Sequence, residues 1–366
     1  MATESTRSDA PRKLNELGQS LWLDNITRDM LNNGTLARYI NSGLSITGLT
    51  SNPTIFDHAI SKSAAYDADV SSLAAKGAAV EDLFFELAIA DLTRAADLFK
   101  PVYDFTATVD GWVSLEVSPL LAYDTKATLA AARKLHAKAA RPNLFIKIPG
   151  TREGIPAIEE SIFQGVPINV TLLFSTEQYQ AAAEAYLRGL ERRVAAGLSP
   201  DVRSVASLFV SRWDKATMES LPANLRNTLG IAVGQQCFRA YRQLLATDRW
   251  QRLANLGARP QRLLFASTGV KDPSAPDTLY VTALAAPNTV DTMPEETLLA
   301  LADHGTLKGT LAPDGGNCEQ ALAAIKAAGV DLVALAAKLQ TDGAESFNAS
   351  WKNLLKSIET KSKALK

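Results

Sequence analysis

Short apolar runs alternate with longer stretches of helical spacing along nearly the whole chain, and this alternation limits the folds open to it more than any other feature. The runs predict strands over residues 20–26, 44–51, 111–118, 145–148, 168–173, 205–210 and 262–267, with a weak eighth near 284–289. Between them, helical spacing covers 31–39, 64–75, 80–99, 125–139, 155–164 and 177–195, two or three helices within 213–256, and then 294–303, 318–328 and 332–358. Asp9 or Ser8 ahead of Pro11 reads as a further helix start, with Gly18 as its stop. Strands that alternate with helices pair in parallel, and the helices serve as crossovers. Roughly eight such units favour a closed barrel over an open sheet. No Gly-x-Gly-x-x-Gly follows any predicted strand, which disfavours a dinucleotide-binding sheet. The expectation is therefore α/β: a single (β/α)8 TIM barrel with additional helices. It runs from residue 16 to 366 behind a flexible segment 1–15, and a lysine-rich end, 356–366, is solvated or frayed.

Composition removes several functions. The 366 residues carry a formal net charge of −1, so no global positive field exists to hold nucleic acid or an anionic membrane. No apolar run approaches a membrane span, and Met1–Arg12 is polar, without the apolar stretch of a signal peptide. Cys237 and Cys318 lie far apart and form neither a Cys-x-x-Cys pair nor a disulfide framework, which fits a reducing cytoplasm. His58, His136 and His304 show no metal-ligand spacing, so the expected chemistry uses neither metal nor cofactor.

One strand carries a residue that packing does not call for. Leu144-Phe-Ile-Lys-Ile-Pro-Gly-Thr151 is apolar on both faces, as a strand covered by helices should be, yet Lys147 sits inside it. Lysine is almost never fully buried unless paired or working. A desolvated amine loses its proton more readily, and a neutral amine attacks a ketone to form a Schiff base. The structural alternative is a strand-end lysine that snorkels to water or pairs with a carboxylate. Strand alternation adds company to Lys147. Glu116 is in phase with Ser114 and Ser118, Asp24 with Trp22, Asn169 with Thr171, and Ser207 with Phe209. Most stand near the C-terminal ends of their strands, where barrel enzymes place their chemistry. An amine, two acids, amides and hydroxyls there suit imine formation with a ketose followed by cleavage of the adjacent C–C bond. The two acids would divide the proton transfers. Asn52 and Asn169 suit sugar hydroxyls, while Arg212 and Lys271 suit a phosphate. Arg212 has the plain alternative of a surface ion pair.

Three segments carry a family resemblance: Gly48-Leu-Thr-Ser-Asn-Pro-Thr-Ile-Phe56, Leu144-Phe-Ile-Lys-Ile-Pro-Gly-Thr151 and Asn169-Val-Thr-Leu-Leu-Phe-Ser175. They resemble the hallmark segments of transaldolases, closest to the longer bacterial subfamily, and the likeness runs from about Leu21 to about Ala328. It implies an enzyme of the pentose phosphate pathway. Such an enzyme moves a dihydroxyacetone unit from sedoheptulose 7-phosphate to glyceraldehyde 3-phosphate, giving erythrose 4-phosphate and fructose 6-phosphate. By the same likeness Lys147 is the Schiff-base lysine, and Glu116 is an acid–base acting through a water that Thr171 places. Asp24 handles the proton at C–C cleavage, Asn52 and Asn169 hold the dihydroxyacetone unit with Ser207 nearby, and Arg212 binds phosphate. Relatives carry an arginine shortly after a serine beyond the seventh strand. Here the chain reads Ser267-Thr-Gly-Val-Lys271, and the phosphate role passes to Ser267 and Lys271. The expected assembly is a monomer or a homodimer. Two other functions share these residues: an aldolase that cleaves fructose 6-phosphate without transfer, and a non-catalytic sugar-phosphate binding protein. Phe209 speaks against the first, because the related aldolases carry Tyr at that position.

Overall fold

Eight strands close into one barrel in which each pairs in parallel with its neighbours in sequence, and the last pairs with the first. The computed structural model describes residues 8–365. The strands are β1 (Gln19–Asp24), β2 (Ile46–Thr50), β3 (Trp112–Glu116), β4 (Leu144–Pro149), β5 (Ile168–Leu173), β6 (Ser204–Phe209), β7 (Gln261–Ala266) and β8 (Thr289–Met293). This is a (β/α)8 barrel with helices between its strands and extra helices beyond them. Nearly every strand residue is buried on both faces, because interior side chains fill the barrel and the others meet the helices. Register sets the neighbours that matter: Glu116 on β3 lies beside Lys147 on β4, and Lys147 beside Asn169 on β5.

Several expectations are corrected. The eighth strand is Thr289–Met293, not 284–289. Asn288 turns the chain in the left-handed region at φ 59°, and the strand then begins with Thr-Val-Asp-Thr. Polar residues in a fully buried strand hide it from an apolar-run reading. A helix over Pro53–Lys62 was not anticipated, although its start is well marked: Pro53 opens it and the Asn52 side chain accepts from the Ile55 amide. The stretch 31–39 is two short helices, Arg28–Asn32 and Thr35–Asn41, separated at Gly34. Of the segment 1–15, residues 1–7 lie outside the described residues, whereas Ala10–Leu17 is a helix that buries Ala10 and Leu14 and ends at Gly18.

The C-terminal end also departs from the expectation of fraying. One helix runs from Leu332 to Ala364 and buries Leu339, Gly343, Phe347, Trp351, Leu354 and Ile358, the three-to-four spacing of an amphipathic stripe. Lys361 donates to Asp67 and to the Ser63 carbonyl at 2.6 Å each, which anchors its last turns. Gln340 donates to the carbonyls of Gly150 and Leu172, so the helix is tied across the C-terminal ends of β4 and β5. Among the described residues no helix is long and apolar enough to cross a membrane.

Candidate active site

The Lys147 amine lies inside the C-terminal mouth of the barrel, 3.3 Å from Glu116 Oε2, and donates to the Ser51 carbonyl at 3.2 Å. Lys147 and Glu116 are each only 5% exposed. Their contact has ion-pair distance without hydrogen-bond alignment, so both Glu116 oxygens remain without a hydrogen-bond partner. Burial raises the Glu116 carboxyl above the ordinary range, opposed by Lys147, and nearby Asp24 adds to the rise. Burial likewise raises Asp24, against Lys147, the Thr50 hydroxyl and Lys271. Thr50 donates to Asp24 at 2.6 Å and meets the Thr292 hydroxyl at 2.6 Å, which fixes Asp24 from β2 and β8.

A cavity of about 120 Å³ stands over the amine. It brings together Asp24, Asn52, Lys147, Ser207, Phe209, Arg212, Ser267 and Lys271, all candidates from the sequence. Asn52 has its Oδ1 taken by the helix cap, which leaves Nδ2 as the group free for a ligand. Asn169 is not on the cavity wall. It lies one step beneath, donating to Ser114 Oγ at 3.1 Å and accepting from Ser207 at 2.7 Å. Thr171 is likewise buried off the wall, and its hydroxyl has no partner. The residue after it, Leu172, has φ 58°, an outlier for a branched side chain that marks where β5 loses register with β6.

Arg212 forms no ion pair among the described residues. Its guanidinium lies 5.0 Å from the Phe209 ring centre and 5.7 Å from that of Phe347, and burial lowers its pKa. A half-buried cation held between aromatic faces and opening to a cavity suits an anionic group. Gly343 of the C-terminal helix permits this: a Cβ there would come within 3.1 Å of Arg212 Nη1 and 3.0 Å of Leu172. Ser267 sits at φ 55° directly after β7, its hydroxyl 3.0 Å from that of Ser211. Thr50, Thr292 and Phe347 belong to this site but were missed from sequence. Thr50 could have been found from its phase on β2. Thr292 was hidden with its strand, and Phe347 comes from a helix 200 residues beyond Lys147 with no local signal.

Two cations, Arg212 and Lys271, and two carboxylates, Asp24 and Glu116, around one enclosed amine at the C-terminal ends of barrel strands define a barrel enzyme for an anionic carbonyl substrate. Comparison with known proteins makes the class specific. The family described as transaldolase/fructose-6-phosphate aldolase matches residues 21–358, and the chain belongs to it. It is 46% identical over 352 residues to a transaldolase of Saccharopolyspora erythraea, covering 94% of this chain and 95% of that one. Transaldolases of Parafrankia sp. (strain EAN1pec) and Thermobifida fusca are each 44% identical, over 94% of this chain and 96% of theirs.

Proposed function

We propose that this protein is a transaldolase that carries a dihydroxyacetone unit on Lys147, from sedoheptulose 7-phosphate to glyceraldehyde 3-phosphate. The observation that carries the reading is the Lys147 amine, enclosed yet open to a cavity and 3.3 Å from Glu116. The amine attacks the ketose carbonyl, and Glu116 is placed to take and return the protons as water leaves and the imine forms. The unpartnered Glu116 oxygens and Thr171 hydroxyl suit a water shared between them that relays those protons. Cleavage of the C3–C4 bond then needs a base for the C4 hydroxyl proton. Asp24 serves, held by Thr50 on the cavity wall. Erythrose 4-phosphate leaves, and the bond electrons stay on the imine as an enamine. The enamine adds to the aldehyde of glyceraldehyde 3-phosphate, Asp24 returns its proton, and water releases fructose 6-phosphate. Asn52, Asn169 and Ser207 hold the three-carbon unit; Arg212, Ser267 and Lys271 take the phosphate.

Transfer is favoured over simple cleavage by what surrounds the amine. The Phe347 ring centre is 5.7 Å from the Lys147 nitrogen, and Phe209 packs at 5.4 Å against Phe174. Neither offers a hydroxyl that could protonate the waiting enamine. A non-catalytic binding role would leave the contact of Lys147 with Glu116 without a use. The two cysteines are free and buried, in keeping with the cytoplasm. The test is borohydride reduction in the presence of fructose 6-phosphate. Wild-type protein should gain a sugar-derived mass on the peptide bearing Lys147. Lys147→Arg, which keeps the charge but cannot form the imine, should gain none and transfer nothing. An active Lys147→Arg protein would end the proposal.

A further inference from the structure

Leu172 is held in a conformation its side chain disfavours, and the C-terminal helix holds it in two places. The residue is fully buried and has φ 58°, a backbone region that bulky side chains rarely enter. It lies where β5 runs from Val170 to Leu173 while β6 runs only from Ala206 to Leu208, so it belongs to a β-bulge with one extra residue on β5. Strain of this kind persists only where the surroundings over-determine it. Here Gln340 Nε2 donates to the Leu172 carbonyl at 2.9 Å. One turn further along the helix, Gly343 leaves room for the Leu172 side chain, which a Cβ would approach to 3.0 Å.

The same amide reaches the neighbouring strand. Gln340 Nε2 also donates to the Gly150 carbonyl at 3.1 Å, and the Gly150 N–H donates to the Thr171 carbonyl at 2.7 Å. Gly150 comes this close to β5 because it lacks a side chain: a Cβ would lie 2.4 Å from Leu173. The backbone on the C-terminal side of Thr171 is therefore fixed twice, at its own carbonyl by Gly150 and at the next one by Gln340. Strand alternation gives the level of Thr171 in the barrel. Asn169 donates to Ser114 Oγ at 3.1 Å, and Thr171 follows Asn169 on β5 as Glu116 follows Ser114 on β3, two residues later on the same face. Thr171 and Glu116 thus share a level, and the Thr171 hydroxyl and both Glu116 oxygens are buried without partners.

We propose that Gln340 is a positioning residue of the reaction: its amide fixes Leu172 in the bulge, and the bulge aims the Thr171 hydroxyl at the water that relays protons to and from Glu116. This rests on the proposed relay itself. Gln340 is not on the wall of the catalytic cavity, and it acts only through the backbone at the ends of β4 and β5. Bulges re-aim the side chains beside them, and a small displacement of a positioned group costs far more in rate than in binding.

The experiment is single-turnover imine formation with fructose 6-phosphate, quenched with borohydride at increasing times. Gln340→Met keeps the length of the side chain and removes both donors. At saturating sugar its rate of adduct formation should fall about tenfold or more, while the half-saturating concentration stays within about twofold. In a Thr171→Val background, which already lacks the hydroxyl, the same change should cost less than about twofold. Gln340→Asn keeps the amide but draws it back by one methylene; it should repeat both results, and it serves if Gln340→Met folds poorly. A loss as large in Thr171→Val as in the wild type would show that Gln340 acts elsewhere. A raised half-saturating concentration at unchanged rate would make Gln340 only a seat for the helix beside Arg212. Either result overturns the proposal, as does an unchanged rate. A Lys147 adduct in the wild type together with no effect of Gln340 overturns this proposal alone, whereas no adduct in the wild type overturns the Schiff-base reading and this proposal with it.

Discussion

Replacing Asp291 by Asn should change the pH dependence of stability by an amount the structure sets. Asp291 on β8 is fully buried, accepts one hydrogen bond from Thr268 Oγ1 at 2.8 Å, and has no partner for its other oxygen. Burial pushes its carboxyl up to about 7 from the ordinary 3.8, with the Thr268 hydroxyl opposing. The folded state therefore holds the proton more tightly than the unfolded state. Its stabilising contribution is fully present below 3.8 and is lost as pH rises through about 7. Linkage between those two values gives a loss of about 2.5 kcal/mol from pH 5 to pH 8. Asp291→Asn keeps the acceptor for Thr268 and cannot ionise, so it escapes this loss. All other groups titrate in both proteins and cancel in the difference. The assay is urea unfolding of both proteins at several pH values, followed by tryptophan fluorescence. The stability difference should shift in favour of Asn by about 2.5 kcal/mol across that window. A difference flat to within about 0.5 kcal/mol would show that Asp291 stays ionised in the fold, and the burial argument would be wrong. The result bears on function, because Thr268 also donates to the Thr292 carbonyl and so ties the Ser267–Lys271 loop to β8.

Two further outcomes follow from the site. Glu116→Gln keeps the shape of the side chain but not its proton transfer, so turnover should fall by about 10²–10⁴-fold while the protein stays folded; undiminished turnover would remove Glu116 from the mechanism. Phe209→Tyr adds a hydroxyl at the cavity wall and should divert the enamine to free dihydroxyacetone, measured from fructose 6-phosphate with and without erythrose 4-phosphate. An unchanged partition between release and transfer would leave Phe209 as packing alone.

The barrel was legible because its signal is local and repeated. Seven strands fall within a few residues of their expected places, since an apolar run and the turn residues that end it are neighbours in sequence. β8 failed that reading for a physical reason. Thr289, Asp291 and Thr292 are buried through hydrogen bonds to Gln19, Thr268 and Thr50, partners a single strand does not reveal. The helix after Asn52 was lost differently, because Asn-Pro reads as the end of a strand as readily as the start of a helix.

What the sequence alone determined was the chemistry within each strand. A lysine in an apolar run, an acid in phase with serines and Asp24 at a strand end follow from a period of two and the cost of burying charge. Which of these residues touch was a matter for tertiary structure. Register between strands brought Glu116 to Lys147 and set Asn169 beneath Ser207, while leaving Thr171 off the cavity wall. Phe347 and Gly343 reach the site only because the C-terminal helix is anchored by Gln340 across the barrel mouth. Its own spacing specifies a buried stripe but not the surface that buries it.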